Sequence, residues 1–250
     1  SPPAFAEGGV FFQRNNGSDS QIFRLDPLTG ETVWKSPYNA QWMRHLAPVA
    51  ADGTVWVAGG YNGGLYGYRA ETGAQLFFKE LEMEDSWTPA YDSGRIFTLV
   101  SGNFREHDPG TGEIRWSLNL GEGAFPAYSF LNTKTPVLSE GKAFFHFGSK
   151  FYAVDLANRS VVWTVPGQFQ GLPAVANGLV FVREAGGVAA LSAQTGQRRG
   201  DYTHNFSSLP GMVSSDWTRS DQPIVTDNML IVSAGSQTVV FDLVTRLARQ

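Results

Sequence analysis

Side chains with acid–base and anion-binding chemistry lie in the irregular segments of this sequence, outside its regular repeats. They are two histidines, two tyrosines and two arginines: His45, His204, Tyr128, Tyr202, Arg44 and Arg219. A Tyr–His pair that removes a proton, beside an Arg that neutralises a carboxylate, would suit cleavage of an acidic polysaccharide. No motif holds these groups at a spacing that such chemistry requires. We therefore predict no catalytic residue, and a carbohydrate-active enzyme (polysaccharide lyase or hydrolase) stays an alternative.

The same segments are rich in large aromatic side chains, which together with Arg are enriched at binding hot spots. The segments are residues 35–47, 80–88, 117–135, 164–172 and 201–222. We predict that they form a face that binds a protein or a glycan. The candidate binding residues are Trp42, Arg44, His45, Trp87, Tyr128, Phe169, Tyr202, His204, Trp217 and Arg219. The alternative interpretation is that the aromatic rings only pack beneath the loops.

Six copies of a repeat join these segments and must position them. A Pro opens each copy, at positions 3, 48, 89, 136, 173 and 223, so successive copies start 37 to 50 residues apart. A second anchor, usually Thr-Gly, precedes the last apolar run of each copy and keeps step with the first. Each copy contains four short runs rich in Val, Phe, Tyr and Trp, separated by Gly and Asn turns. Such a period with several strands per unit is typical of a β-propeller.

We therefore predict an all-β fold, a β-propeller of four-stranded antiparallel blades with almost no helix. The six units cover approximately residues 1–38, 47–80, 88–118, 135–165, 172–202 and 222–250, and all belong to a single domain, 1–250. A closed six-bladed ring is favoured because it leaves no open edge, and a seven- or eight-bladed ring of a longer chain is the alternative. In either ring the segments between units are expected on one face.

Composition narrows the range of partners. Charged residues make up 17% of the 250, hydrophobic residues 42%, and the net charge is −4 with a pI near 5.6. A mildly acidic chain without a cluster of Lys and Arg does not suit nucleic acid. The absence of Cys excludes disulfides, thiolate metal sites and Cys nucleophiles. Since no apolar run reaches the roughly 20 residues that span a bilayer, no transmembrane segment is predicted.

Three pieces of the sequence resemble the repeat of the PQQ-like, or quinoprotein dehydrogenase-like, propeller family. They are RLDPLTGETVW (residues 24–34), REHDPGTGEIRW (residues 105–116) and AVDLANRSVVW (residues 153–163), and three weaker copies complete the set. The resemblance implies that the aromatic residue ending a copy packs between blades. Structural inter-blade roles are therefore expected for Trp34, Phe77, Trp116 and Trp163.

The resemblance also raises a quinone-dependent dehydrogenase, which the residues do not favour. Quinoprotein dehydrogenases are longer, eight-bladed chains with a calcium or lanthanide ion beside the quinone and often a vicinal Cys pair. This sequence has six units, no Cys and no acidic cluster that suits such a site. Its repeat aspartates recur at one turn, where they are expected to bond backbone amides; they are Asp26, Asp108, Asp155 and Asp242. We predict no cofactor and no metal.

These observations together predict a non-catalytic binding or scaffolding module. The resemblance implies a place outside the cytoplasm, in the periplasm or at the cell surface. The partner is a protein or a glycan at the loop face, and the chain itself is expected to be a monomer. Two alternatives stay open: the carbohydrate-active enzyme, and a sensor or accessory domain of a larger cell-surface protein.

Overall fold

The computed structural model describes residues 2–16, 19–40, 47–60, 63–84, 87–121, 134–184, 186–204, 222–234, 237–244 and 248–249. These residues form 24 β-strands in six four-stranded antiparallel sheets, and they contain no helix. The predicted all-β class and the four-stranded antiparallel blades are confirmed. Accordingly, this part of the chain has no helix with the length and apolar character that a membrane span needs.

The chain divides into two compact units, Ser1–Phe130 with Lys134–Pro136, and Leu131–Thr133 with Val137–Gln250. The first unit holds three sheets, which we call blades 1 to 3. Blade 1 consists of β1 (Ala4–Ala6), β2 (Gly9–Asn16), β3 (Asp19–Leu25) and β4 (Thr32–Pro37). Blade 2 consists of β5 (Val49–Ala51), β6 (Thr54–Ala58), β7 (Leu65–Arg69) and β8 (Gln75–Lys79). Blade 3 consists of β9 (Ala90–Asp92), β10 (Arg95–Val100), β11 (Asn103–His107) and β12 (Ile114–Asn119).

The second unit holds blades 4 to 6. Blade 4 consists of β13 (Val137–Ser139), β14 (Lys142–Phe147), β15 (Lys150–Asp155) and β16 (Ser160–Pro166). Blade 5 consists of β17 (Gln170–Ala176), β18 (Leu179–Glu184), β19 (Gly187–Ser192) and β20 (Arg198–Thr203). Blade 6 consists of β21 (Ile224–Val225), β22 (Met229–Ala234), β23 (Gln237–Asp242) and β24 (Ala248–Arg249). No blade extends more than two residues beyond one predicted repeat, while the single domain over 1–250 and the size of the ring stay predictions.

Within every blade the strands pair in chain order, so consecutive strands are joined by hairpins. In blade 2 the hairpin between β5 and β6 turns at Asp52 (φ 47°) and Gly53 (φ 72°). Two successive residues with positive φ give the turn whose twist matches that of paired strands, which is why Gly recurs here in the sequence. The short turns make each blade a continuous meander.

Apolar side chains fill the space between neighbouring blades of the same unit. In the first unit one such cluster joins Phe11 and Ile22 of blade 1 to Val55, Val57 and Tyr68 of blade 2. All five side chains are fully buried. Burying one side chain of this size contributes about 1.5–3 kcal/mol, so the blades depend on each other for their stability.

The aromatic residue that ends a repeat packs on the next blade of its unit. Trp34 of blade 1 donates its indole N–H to the Ala70 carbonyl of blade 2 at 3.0 Å. A Cβ added to Gly73 of blade 2 would lie 2.7 Å from the Trp34 ring. Trp163 of blade 4 lies on Gly196 of blade 5 in the same way, and a Cβ added to Gly196 would lie 2.8 Å from the Trp163 ring. The glycine of the Thr-Gly step is thus the surface on which the preceding blade places its indole.

The two remaining residues of this predicted set lie in blades 2 and 3. The ring of Phe77 covers Gly112 of blade 3, where an added Cβ would lie 2.4 Å from it. Trp116 packs edge-on against Phe104 of its own blade, with ring centroids 5.9 Å apart. Phe77 therefore occupies in blade 2 the place that Trp34 occupies in blade 1.

Candidate functional site

An open cleft of about 730 Å³ lies between blades 1 and 2 of the first unit. Among the described residues, its walls come from the end of β4, from β7 and β8, and from the two connections that leave these blades. The lining residues are Pro37, Tyr38, Asn39, Tyr66, Gln75, Phe78, Glu80 and Met83. Two of the segments expected to bind a partner, 35–47 and 80–88, therefore contribute to one concave surface.

Aromatic rings from both blades form the floor of the cleft. The Tyr38 and Tyr66 rings lie edge to face with centroids 5.7 Å apart, and the Tyr66 and Phe78 centroids lie 4.6 Å apart. Both tyrosines are buried, whereas Phe78 is 44% exposed. Successive side chains of a strand point to opposite faces. Because Phe77 packs toward blade 3, Phe78 is directed to the cleft.

The hydroxyl groups of the tyrosines beneath this floor form hydrogen bonds inside the protein. Tyr38 donates its hydroxyl hydrogen to Gln13 Oε1 at 2.9 Å, and Tyr68 donates to the Pro37 carbonyl at 3.0 Å. Burial raises the pKa of Tyr38, Tyr66 and Tyr68 above the usual value for tyrosine. These phenols therefore stay protonated at neutral pH, and none of them is suited to act as a base.

The rim of the cleft combines two apolar side chains with amide and carboxylate groups. Met83 is 58% exposed and Phe78 is 44% exposed. Asn39, Gln75 and Glu80 are exposed beside them. Glu80 is the one charged residue among the described residues that line the cleft. The surface thus offers apolar contact, amide hydrogen bonds and a single negative charge.

Two ion pairs hold the connection that leaves β8. Arg105 forms a bidentate pair with Glu82, in which Nη1 lies 2.7 Å from Oε2. The buried Glu84 pairs with the buried Lys134 and accepts a hydrogen bond from the Ser101 backbone N–H. These contacts tie residues 82–84 to blade 3 and to the segment at Lys134. These two ion pairs therefore hold the backbone on both sides of the rim residue Met83.

The pKa shifts of Glu82 and Lys134 follow from their burial and their partners. Burial alone would raise the pKa of Glu82, but the hydrogen bonds and the positive charge of Arg105 outweigh it, so the pKa is lowered. Burial lowers the pKa of Lys134 to about 8. Glu82 and Lys134 are both mainly charged at neutral pH. The Glu84–Lys134 pair, buried on both sides, is costly to break because the remaining partner would be left as an unpaired buried charge.

Four of the ten candidate binding residues lie in the described part of the chain, and they do not line the cleft. Trp87, Phe169 and Tyr202 are buried in three separate apolar clusters. His204 is half-buried after β20. The other six, Trp42, Arg44, His45, Tyr128, Trp217 and Arg219, lie outside the described residues. The binding role of all ten stays a prediction.

Several cleft residues were absent from the sequence-based candidates, namely Tyr66, Gln75, Phe78, Glu80 and Met83. One sequence signal pointed to them. β8 carries Leu76, Phe77 and Phe78 in succession, so both faces of this outer strand are apolar. An outer strand covered on one face needs apolar residues only at alternate positions. The surplus of apolar residues indicates a second surface that is available for contact.

The repeat aspartates bond backbone amides, as predicted. Asp26 accepts hydrogen bonds from the N–H groups of Leu28 (2.8 Å) and Thr29 (2.9 Å). The Thr29 bond is the main reason that the pKa of Asp26 is lowered. The same two bonds occur at Asp108 and Asp155, and Asp242 accepts the first of them, from the Val244 N–H. These carboxylates shape the turn before the last strand in blades 1, 3, 4 and 6.

The sequence matches the family described as outer membrane protein assembly factor BamB, over residues 18–166 and 107–246. The chain belongs to this PQQ-like propeller family. No protein with a curated description matches the sequence significantly. The three blade copies that resembled the PQQ-like repeat in the sequence all lie within the matched ranges, so the predicted family is confirmed.

Solved structures of PQQ-like and designed proteins share this fold. BamB from Moraxella catarrhalis has a TM-score of 0.69 and 14% identity, covering 94% of this chain and 67% of that chain. The computationally designed Ika8 protein has a TM-score of 0.71 and 13% identity, covering 96% and 70%. A europium-containing methanol dehydrogenase has a TM-score of 0.67 and 8% identity, covering 99% and 70%. At these identities the likeness shows the propeller fold alone.

The described residues of this PQQ-like propeller do not fit a quinone site with its metal ion. Calcium and similar hard ions need about six to eight oxygen ligands, several of them carboxylates. The lining of the cleft offers one carboxylate, and the described part of the chain holds no group of three His, Asp or Glu that could bind a metal ion. No chemical step through a quinone is derived for this chain.

Proposed function

We propose that this PQQ-like propeller is a non-catalytic scaffold that works outside the cytoplasm and binds a protein partner at the connections between its blades. The observation that carries the proposal is the cleft of the first unit. Residues 37–39 and 80–83 meet there, and Phe78 and Met83 expose apolar surface at its rim. Aromatic residues and Met are the types enriched where proteins meet.

The character of the lining supports binding over catalysis. The described lining residues combine buried phenols that remain protonated with two amides and one carboxylate. A catalytic pair needs an acid and a base with different protonation states at reaching distance. By contrast, an apolar rim whose backbone is held by two ion pairs suits a partner, because little backbone entropy is lost when the complex forms.

The family supports the location and the class of partner. The matched family is described as an outer membrane protein assembly factor, a description that names proteins and the outer membrane. The family description supports a protein in preference to a glycan at the cleft.

The test compares two methionine substitutions. Met83→Ala removes the apolar side chain from the rim of the cleft, and Met229→Ala makes the same change at a 40% exposed methionine of the second unit. Each protein is immobilised and exposed to an envelope extract, and retained proteins are quantified by mass spectrometry. We expect one partner whose retention falls about ten-fold with Met83→Ala and stays unchanged with Met229→Ala, since losing a rim anchor costs about 1.4 kcal/mol.

Urea unfolding of both variants must show native stability, so that a loss of retention reports the surface. If no retained protein depends on Met83, the cleft is not the interface and the proposal fails. If both variants lose the same proteins equally, retention is an unspecific property of exposed methionines, and the proposal fails as well.

A further inference from the structure

The cleft between blades 1 and 2 has an unbalanced charge. Its described lining contains one carboxylate, Glu80, and neither Lys nor Arg. The neighbouring cations are engaged elsewhere: Lys79 pairs with Glu113 at 2.9 Å, and Arg105 pairs with Glu82. Among the described residues, Glu80 forms no ion pair. The lining therefore attracts a positive group and repels a negative one.

Aromatic rings beside Glu80 add to this preference. Phe78 exposes 44% of its surface, and its ring lies 4.6 Å from that of Tyr66. The face of an aromatic ring carries negative partial charge and attracts ammonium and guanidinium groups within about 6 Å. Tyr38 has its hydroxyl bonded to Gln13, so this residue contributes ring surface to the floor. Rings together with one carboxylate form a surface suited to a cationic side chain with an aliphatic stem.

The shape of the cleft adds a constraint on the partner's backbone. β8 is the outermost strand of blade 2, so one edge of it has no strand partner in its sheet. Gln75 and Phe78 of β8 both line the cleft. An extended segment is the backbone form that lies along an exposed strand edge while its alternate side chains enter neighbouring pockets. Met83, 58% exposed, gives an apolar neighbour to the charged position.

We propose that the cleft binds a Lys or Arg side chain of an extended, apolar segment of the protein partner. Glu80 pairs with the cation, Phe78 and Tyr66 contact its stem and head, and Met83 contacts the flanking apolar side chain. This inference rests on the proposed function, and it names the chemistry that the partner presents.

The experiment uses methionine-methyl NMR, because the chain has only four Met and two of them lie in the described residues at known places. Met83 reports on the cleft, and Met229 of blade 6 is the internal control. The probes are peptides acetyl-Gly-Leu-Xaa-Leu-Gly-amide, in which Xaa is Lys, Arg, norleucine or Glu. We expect the Lys and Arg peptides to shift the Met83 methyl signal and leave that of Met229 unchanged. The norleucine peptide should bind about five-fold more weakly, the ratio expected for a solvent-accessible cation at a carboxylate and a ring.

Two substitutions test the charge. Glu80→Gln should remove the preference for Lys over norleucine, and added salt should weaken the Lys peptide alone. Glu31→Gln, at an exposed glutamate of the turn before β4, is the matched control and should change nothing. Equal binding of the Lys, norleucine and Glu peptides would overturn the inference. So would a Met83 shift caused by an acidic oligosaccharide and by none of the peptides, which would assign a glycan to the cleft.

The outcomes separate this inference from the proposed function. If Met83→Ala lowers retention of a protein partner while Glu80→Gln and the choice of Xaa have no effect, the scaffold function stands and the cationic segment is wrong. If no partner depends on Met83, both fail together.

Discussion

The contact between Trp34 and Gly73 predicts unequal costs for one substitution made at two equivalent glycines. Gly30 and Gly73 end the same turn in blades 1 and 2, with φ of 73° and 72°. A Cβ on Gly30 would meet no atom within 4 Å, whereas a Cβ on Gly73 would lie 2.7 Å from the Trp34 ring and 2.8 Å from Ser36 Oγ. Gly→Ala therefore has the same backbone effect at both positions and a steric effect at one.

The magnitudes follow from these two terms. An L-residue in the left-handed region costs about 1–2 kcal/mol, which both variants share. Overpacking a filled site costs a further 1–3 kcal/mol or so, which only Gly73→Ala incurs. We expect Gly73→Ala to lower the free energy of unfolding by about 2–5 kcal/mol and Gly30→Ala by about 1–2 kcal/mol. Equilibrium unfolding in urea measures both.

A double-mutant cycle identifies the cause. In a Trp34→Ala background the ring is gone, so most of the excess cost of Gly73→Ala over Gly30→Ala should disappear, and only the contact with Ser36 Oγ remains. Equal costs of the two glycine variants in the wild-type background would refute the reasoning. An excess cost at Gly73 that is undiminished without the indole would refute it too, because the excess would then not come from the ring.

Two further predictions concern buried charge. His107 donates Nδ1–H to the Gly112 carbonyl and accepts the Thr98 hydroxyl at Nε2, and burial lowers its pKa to about 4 from 6.5. Between pH 6.5 and 4 only the unfolded state gains this proton, so the free energy of unfolding should fall by about 3 kcal/mol over that range. Urea titrations at several pH values should show this fall. A pH profile that His107→Gln leaves unchanged would contradict it. Lys134→Met should lower the free energy of unfolding by about 3 kcal/mol, because it leaves the buried Glu84 without its ion-pair partner. Adding Glu84→Gln should recover part of that loss in thermal unfolding. A double variant no more stable than the single variant would exclude this cause.

The blades were predictable from the sequence because their signals are local and repeated. The Pro and the Thr-Gly step recur in register, and Gly and Asn mark the turns where positive φ is needed. The pairing of indole and glycine was also present in the sequence, although it spans two copies. In the fifth copy Gly200 replaces the Trp, and in the sixth Arg246 replaces the glycine that would receive it. Arg159 in the fourth copy shows that the glycine is not obligatory.

The cleft could not be predicted in the same way. Tyr38 and Tyr66 lie in different blades, and their contact depends on how two sheets pack, which no local period encodes. The loop aromatics posed the opposite problem. Trp87 and Phe169 are of the residue types that are common at binding faces, yet their side chains are buried. A single aromatic residue in an irregular segment has no periodic neighbours that would indicate which side of the backbone is covered.

Site-specific photocrosslinking would detect a protein partner held at this cleft. A photoreactive amino acid replaces Met83 in one protein and Met229 in a second, and both are irradiated in an envelope extract. We expect a discrete protein adduct from position 83 and none from position 229. Adducts of the same proteins at both positions, or none at position 83, would contradict the proposal.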